Sequence, residues 1–272
     1  MKKRKFITLA CGALLLGGVL TACSSNQVNS AQNNSEKQSV QSADEAVTVG
    51  FIQLANESKE RIWYMVYDRN NDGQISKDDR IEEIYTVKNG KITSYFVFND
   101  TENTVLLKDV SEKSENEVHK LAKEQDKYHF EKMKEDIVQS LSDPSFDEQI
   151  RNKAKNLNYD IFSKCYSNKE LQASVETDSS GNYVVRESIT FWGNPIGGMI
   201  DDFDVYYKEE NPDPQEIERS TELSNVIYGQ IYKQNYAGYV LADENAFLVT
   251  SALDETTTLG FDTLDTKNVT EE

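Results

Sequence analysis

Ile84-Tyr85-Thr86-Val87-Lys88-Asn89-Gly90-Lys91-Ile92-Thr93-Ser94-Tyr95 decides the fold class of this chain. Two runs of β-branched and aromatic residues flank Asn89-Gly90, and that dipeptide suits the positive φ angles of a two-residue hairpin turn. Residues 81–87 and 92–98 are therefore paired strands. Upstream, Arg61-Ile62-Trp63-Tyr64-Met65-Val66-Tyr67 has the same composition and predicts a third strand.

Downstream the period changes. Residues 114–141 contain neither Gly nor Pro, and Val118, Leu121, Ala122, Gln125, Tyr128 and Met133 share one broad helical face. Asp143-Pro144 ends this helix and starts a second, expected to run to about Ser163, because Asp is a good N-cap and Pro is pre-organised for the first helical position. Residues 171–177 and 183–192 flank a hairpin loop at 178–182. Residues 204–207 suggest a short strand, 211–214 a turn, 215–224 a helix, and 236–241 with 246–250 a last hairpin. Strands, then two central helices, then strands predict an α+β fold with a mostly antiparallel sheet and hairpins. The regular βαβ alternation of a two-lobed solute-binding protein is missing.

One loop has the oxygen pattern of a cation site. In Asp68-Arg69-Asn70-Asn71-Asp72-Gly73-Gln74-Ile75-Ser76-Lys77-Asp78-Asp79, the residues Asp68, Asn70 and Asp72 hold positions one, three and five. Gly73 permits a sharp turn, Gln74 offers its carbonyl, Ser76 acts directly or through water, and Asp79 closes the loop. Calcium takes about six to eight hard oxygens, which such a loop can supply at alternate positions. The twelve residues resemble an EF-hand or dockerin-type calcium loop. The resemblance implies calcium held by Asp68, Asn70, Asp72, Gln74, Ser76 and Asp79. Two features depart from an EF-hand: Asp79 stands where a bidentate Glu is usual, and a strand enters the loop. The competing reading is a connection held by side-chain-to-backbone bonds.

The start of the chain bears on location. Lys2, Lys3, Arg4 and Lys5 precede an uncharged apolar run at residues 6–20, which ends in Leu20-Thr21-Ala22-Cys23. A basic start, a short apolar core and a small-residue cleavage site describe a signal peptide. The cysteine after the small residues resembles the lipobox of Gram-positive-type bacterial lipoproteins. That resemblance implies cleavage after residue 22, a diacylglycerol on Cys23, and anchoring at the extracytoplasmic face of the cell membrane. An uncleaved membrane span would need roughly twenty apolar residues, and Gly12, Gly17 and Gly18 weaken the segment further. Residues 23–46, polar and low in apolar side chains, read as a disordered tether. The folded domain is expected at 47–272.

The formal net charge is −18, and near −22 once the four basic residues of the leader are removed. Such a chain lacks the basic footprint that nucleic acid requires. It suits cation binding, a basic protein partner or plain solubility. Of three cysteines, Cys11 leaves with the leader and Cys23 takes lipid, so Cys165 cannot form an internal disulfide. Phe146, Ile150, Leu157, Ile161 and Cys165 fall on one helical face, which makes Cys165 a buried small hydrophobe.

Catalysis has little support in the sequence. The two histidines, His119 and His129, lie on the first predicted helix, and His129 reads as a satisfied core residue. No Gly-x-Ser-x-Gly elbow or His-Glu-x-x-His motif occurs. Asp201-Asp202-Phe203-Asp204 is a second acidic cluster, read as a solvated turn, and Gly193-Asn194-Pro195-Ile196-Gly197-Gly198 lacks the ending of a phosphate loop. The expectation is a non-catalytic, lipid-anchored protein that binds an envelope or protein partner. The alternatives are an envelope hydrolase with an unrecognised carboxylate site and an immunity or exclusion lipoprotein. A perturbed carboxylate pair in a deep pocket would mark the hydrolase.

Overall fold

The computed structural model describes residues 47–100, 104–193, 196, 217–242, 245–254 and 256–272. In chain order the elements are β1 (Val47–Val49), α1 (Phe51–Ala55), β2 (Arg61–Tyr67), β3 (Arg80–Lys88), β4 (Lys91–Phe96), α2 (Leu107–Val110) and α3 (Glu115–Ser140). There follow α4 (Glu148–Lys155), α5 (Tyr159–Phe162), a 3-10 turn at Ser163–Cys165, β5 (Lys169–Glu170), β6 (Gln172–Thr177) and β7 (Val184–Gly193). The last are β8 (Ile217–Ile231), β9 (Gln234–Leu241), β10 (Ala246–Ser251), β11 (Thr257–Leu259) and β12 (Val269–Glu271). The fold is α+β and dominated by one mostly antiparallel sheet.

The β3–β4 hairpin forms as the sequence predicts. Asn89 and Gly90 have φ of 54° and 74°, and Lys88 faces Lys91 across the turn. From this hairpin the sheet runs β12-β6-β7-β8-β9-β10-β2-β3-β4-β5. Only Leu171 separates β5 from β6, yet β5 pairs with β4 and β6 pairs with β7. This one continuous segment therefore joins β4 on one side to β7 on the other, with β12 alongside β6, and the strands close into a barrel. Closure removes the exposed edges that a flat sheet would carry.

Alternation along the strands separates two apolar faces. Trp63, Tyr85, Phe191, Leu223, Tyr239 and Leu248 point inward and pack against Phe51, Ile52 and Leu54 of α1. Phe51 meets Trp63 edge-on at 4.8 Å, and Trp63 stacks on Tyr239 at 6.1 Å. Tyr64, Val66, Ile84, Phe247 and Val249 point outward, beneath Leu107 and Val110 of α2 and Val118 and Ala122 of α3.

Helix α3 starts where expected. Ser114 accepts from the Glu117 amide at 3.4 Å, and its own amide donates to Glu117 Oε2 at 2.9 Å, a reciprocal capping box. Its buried stripe is Val118, Ala122, Asp126, Phe130 and Ile137, so it centres on an acid that hydrophobicity alone overlooks.

Three sequence expectations are corrected. The second helix is in pieces: Asp147, not Asp143, caps α4. The helix then stops because Asn158 caps α5, accepting from the amides of Asp160 and Ile161, while Lys134 Nζ holds the Leu157 carbonyl at 2.7 Å. Cys165 is buried, in a cluster with Phe130, Ile137 and Phe162, but Phe146 and Ile161 are exposed, so the single face proposed for it does not exist. Residues 217–224 are the first half of a fifteen-residue strand, not a helix. Ile217, Arg219, Thr221 and Leu223 alternate with Glu218, Ser220 and Glu222, and pairing with β7 along this stretch, joined by β9 from Leu223 onward, overrides helix propensity. The expectations for residues 1–46, the strand at 204–207, the turn at 211–214 and the acidic cluster at 201–204 lie outside the described residues.

Candidate functional site

The barrel opens at one mouth into a cleft of about 620 Å³. The ends of β2, β3, β4 and β10 supply Met65, Tyr67, Arg80, Glu82, Glu83, Phe96 and Ala246, and α3 supplies His129. Barrel mouths are a favoured place for ligands, and this size falls within the ~300–1,000 Å³ of small-molecule sites.

A β-bulge shapes this wall. Met65 faces Glu83 and Val66 faces Ile81, so Glu82 has no partner on β2. The extra residue lets two consecutive carboxylates line the same cleft, where strict alternation would send one outward. Glu83, 2% exposed, accepts from Arg219 Nη1 at 2.5 Å. Arg219 reaches it from β8 and lies over the rings of Phe96 and Phe191, at 5.4 and 5.7 Å. Glu82 accepts from Arg80 Nε at 2.6 Å and from Asn99 Nδ2 at 3.2 Å. Both cleft carboxylates are thus bonded to guanidinium groups.

His129 forms the α3 side of the cleft. Its ring stacks on Phe96 at 5.1 Å with an interplanar angle of 13°. Burial pushes its pKa down to about 4, so the imidazole is neutral near pH 7. The expected satisfied core histidine is corrected to a half-buried wall residue, because Nδ1 is buried without a hydrogen-bond partner. His119 lies elsewhere, on Glu60 Oε1 at 2.6 Å. One turn before His129, the fully buried Asp126 fixes α3 to the barrel. Its carboxylate accepts from the Phe96 amide at 3.0 Å and from the hydroxyls of Tyr159 and Tyr166 at 2.8 and 2.7 Å. Burial outweighs these three donors and raises its pKa to about 6.

The 68–79 loop joins β2 to β3 on the rim of the same cleft. Tyr67 and Arg80, its two neighbours in the chain, are cross-strand partners, and the Arg80 guanidinium covers the Tyr67 ring at 5.3 Å. Asn245, also on the rim, donates Nδ2 to the Asp68 carbonyl at 2.9 Å and accepts the Asp68 amide at its own carbonyl at 2.9 Å. Inside the loop, Asp68 Oδ1 accepts the amides of Asn70 and Asn71, and Oδ2 accepts that of Gly73 at 2.8 Å. Gly73 supplies the positive φ, 69°, that this turn needs. Asp72 accepts the Gln74 amide at 3.0 Å, and Asp79 Oδ2 that of Ser76 at 2.7 Å.

Asp79 Oδ1 is buried and has no hydrogen-bond partner. Burial, with Asp68 and Asp72 close by, pushes the Asp79 pKa up to about 6. Among the described residues no three His, Cys, Asp or Glu side chains stand at metal-binding distance. The donor chemistry of Asp68, Asp72 and Asp79 suits a hard cation, and the buried Asp79 Oδ1 is the oxygen with capacity to hold one. Asn70, Gln74 and Ser76 make only backbone or local loop bonds here.

A strongly perturbed carboxylate pair exists, but it is sealed inside the barrel. Glu187 on β7 accepts the Asp262 amide at 2.9 Å, and Asp262 accepts the α1 amides of Ile52 and Gln53 at 2.5 and 2.9 Å. Both residues are at most 1% exposed.

No protein-family model, curated protein or solved structure matches this chain. Among the described residues no helix is long and apolar enough to cross a membrane.

Proposed function

We propose that this chain is a membrane-anchored extracytoplasmic lipoprotein that binds its ligand at the barrel mouth without transforming it, with calcium bracing the 68–79 loop on the rim. The anchor is diacylated Cys23, following Leu20-Thr21-Ala22; two acyl chains suffice for stable anchoring, and the intact mass of the mature chain checks it. The observation that carries the binding reading is the pairing of both cleft carboxylates, Glu82 and Glu83, with arginines. A general acid or nucleophile must be available to its substrate, whereas these two groups shape and polarise a cleft.

The test is amide chemical-shift mapping on the full chain with benzylamine, benzoate, phenol and indole. Saturable shifts are expected at 65–67, 80–83, 96–99 and 245–246. A set of probes that leaves these amides unmoved overturns the binding reading.

Calcium at Asp68, Asn70, Asp72, Gln74, Ser76 and Asp79 would bind the folded chain alone, and so stabilise it by mass action, about 2.7 kcal/mol at a hundredfold excess over Kd. A small rise in Tm is expected at millimolar calcium. Asp79→Asn, which keeps an oxygen for the Ser76 amide, should remove that rise while leaving calcium-free melting intact. If the unmutated chain shows neither heat nor stabilisation on calcium titration, the loop is a turn and nothing more.

A further inference from the structure

Among the described residues, the two carboxylates that line the cleft are each neutralised by an arginine. Arg80 pairs with Glu82 and Arg219 with Glu83, and the neighbouring His129 is neutral. The chain as a whole carries −18, so anions are repelled at long range. A cation would find the two nearby carboxylates already bonded to guanidinium groups. Ligand charge therefore gains little here, and a neutral ligand is favoured.

The surfaces and polar atoms narrow the class further. Tyr67 remains 41% exposed although Arg80 covers one of its faces. The exposed Tyr67, with Met65 and the half-buried Phe98, supplies apolar surface to the cleft. Around it stand planar polar groups of both signs. Arg80 uses Nε and Nη2 on Glu82, which leaves Nη1 as a donor. Asn245 spends Nδ2 on the Asp68 carbonyl, which leaves Oδ1 as an acceptor. Asn99 spends Nδ2 on the Ile81 carbonyl and Glu82, and its Oδ1 is buried, so it offers nothing to a ligand. A purely apolar ring would strip water from the Arg80 and Asn245 groups and leave each unpaired, at about 1–3 kcal/mol apiece. A hydroxyl both donates and accepts, so it can meet either of them.

We propose that the mouth binds a neutral saccharide, with one sugar ring against Tyr67 and its hydroxyls on Arg80 and Asn245. This rests on the reading of the mouth as the binding site.

The test uses maltose, cellobiose and N,N′-diacetylchitobiose as neutral probes, with glucose 6-phosphate and glucosamine as charged comparators. Amide shifts on the full chain are the readout. At least one neutral disaccharide should give saturable shifts at Tyr67, Arg80 and Asn245, and the charged sugars should bind more weakly. Tyr67→Leu, at an exposed strand end, should weaken binding about tenfold, and Tyr67→Phe should retain it, since the ring and not the hydroxyl makes the contact. Three results would overturn the proposal: no neutral sugar moving these amides, a charged sugar binding as tightly, or Tyr67→Leu binding unchanged. If the aromatic probes move the cleft amides and the sugars do not, the ligand class alone is wrong. If neither does, the mouth is not a binding site.

Discussion

Arg219→Met should destabilise the fold by about 3–5 kcal/mol, the usual cost of removing one partner from a buried ion pair. Glu83 is the reason. It is 2% exposed, and Arg219 Nη1 lies 2.5 Å from its carboxylate. Without the guanidinium it must stay charged in a low-dielectric wall or take up a proton. The Met side chain keeps an apolar stem against Phe96 and Phe191, so packing loss adds little; the lost ring contacts cost about 0.5–1 kcal/mol each. Replacing both partners, in Arg219→Met with Glu83→Met, should recover most of the loss, because an apolar pair of similar volume needs no compensation. Urea unfolding of the two single variants and the double variant closes a thermodynamic cycle. If the double variant is as unstable as the sum of the singles, the pair is not coupled and Arg219 acts through packing alone.

The same ion pair shows what a linear reading can and cannot reach. Periodicity is local, so the hairpin at Asn89-Gly90, the strand at Arg61–Tyr67 and the start of α3 were legible. Barrel closure was not, because it depends on Lys169–Glu170 and Gln172–Thr177 pairing with different neighbours. The helix expected at 215–224 failed for a related reason: its polar residues become a strand only through pairing with β7. The loop at 68–79 was visible as a pattern of oxygens, but its place on the rim follows from the pairing of Tyr67 with Arg80. The cleft joins residues as distant as Met65, His129 and Ala246, and no motif spans them. Two local signals did carry more than was read from them. Ile81 and Ile84 are three apart in a segment of period two, and both face the outer core, which requires the bulge at Glu82. Val118, Ala122, Asp126 and Phe130 are evenly four apart, which places Asp126 at the centre of the buried stripe.

Glu187 should make the protein lose stability as pH rises from about 6.5 to 9, and Glu187→Gln should flatten that slope. Glu187 is fully buried beside Asp262, and the two carboxyls are in hydrogen-bond contact. Burial, then the Asp262 charge, pushes the Glu187 pKa up to about 9, against an ordinary 4.5. Burial raises the Asp262 pKa too, but the Ile52 and Gln53 amides and the Glu187 carboxyl favour its charged form, so Asp262 is the member that gives up its proton first. Tyr239, buried close by, is neutral, its own pKa raised by burial and by both acids.

Between the two pKa values the folded chain holds a proton that the unfolded chain has released. The contribution is therefore complete below about pH 4.5 and is lost as pH climbs toward 9, at up to about 1.4 kcal/mol per pH unit. His129 has the opposite sign. Its pKa falls from 6.5 to about 4 on folding, so its contribution is present above pH 6.5 and is lost on acidification. Asp79 and Asp126, both near 6, act mainly below pH 6.5. The window above it therefore belongs mainly to the Glu187–Asp262 pair. Gln keeps the volume, can donate an amide hydrogen to Asp262 and has no proton to lose. Its Tm profile should stay level from pH 6.5 to 9 while that of the unmutated chain falls, so that the variant is the more stable protein at the alkaline end. Parallel profiles would mean that Glu187 is already ionised in the folded barrel, with its charge balanced by groups other than a shared proton.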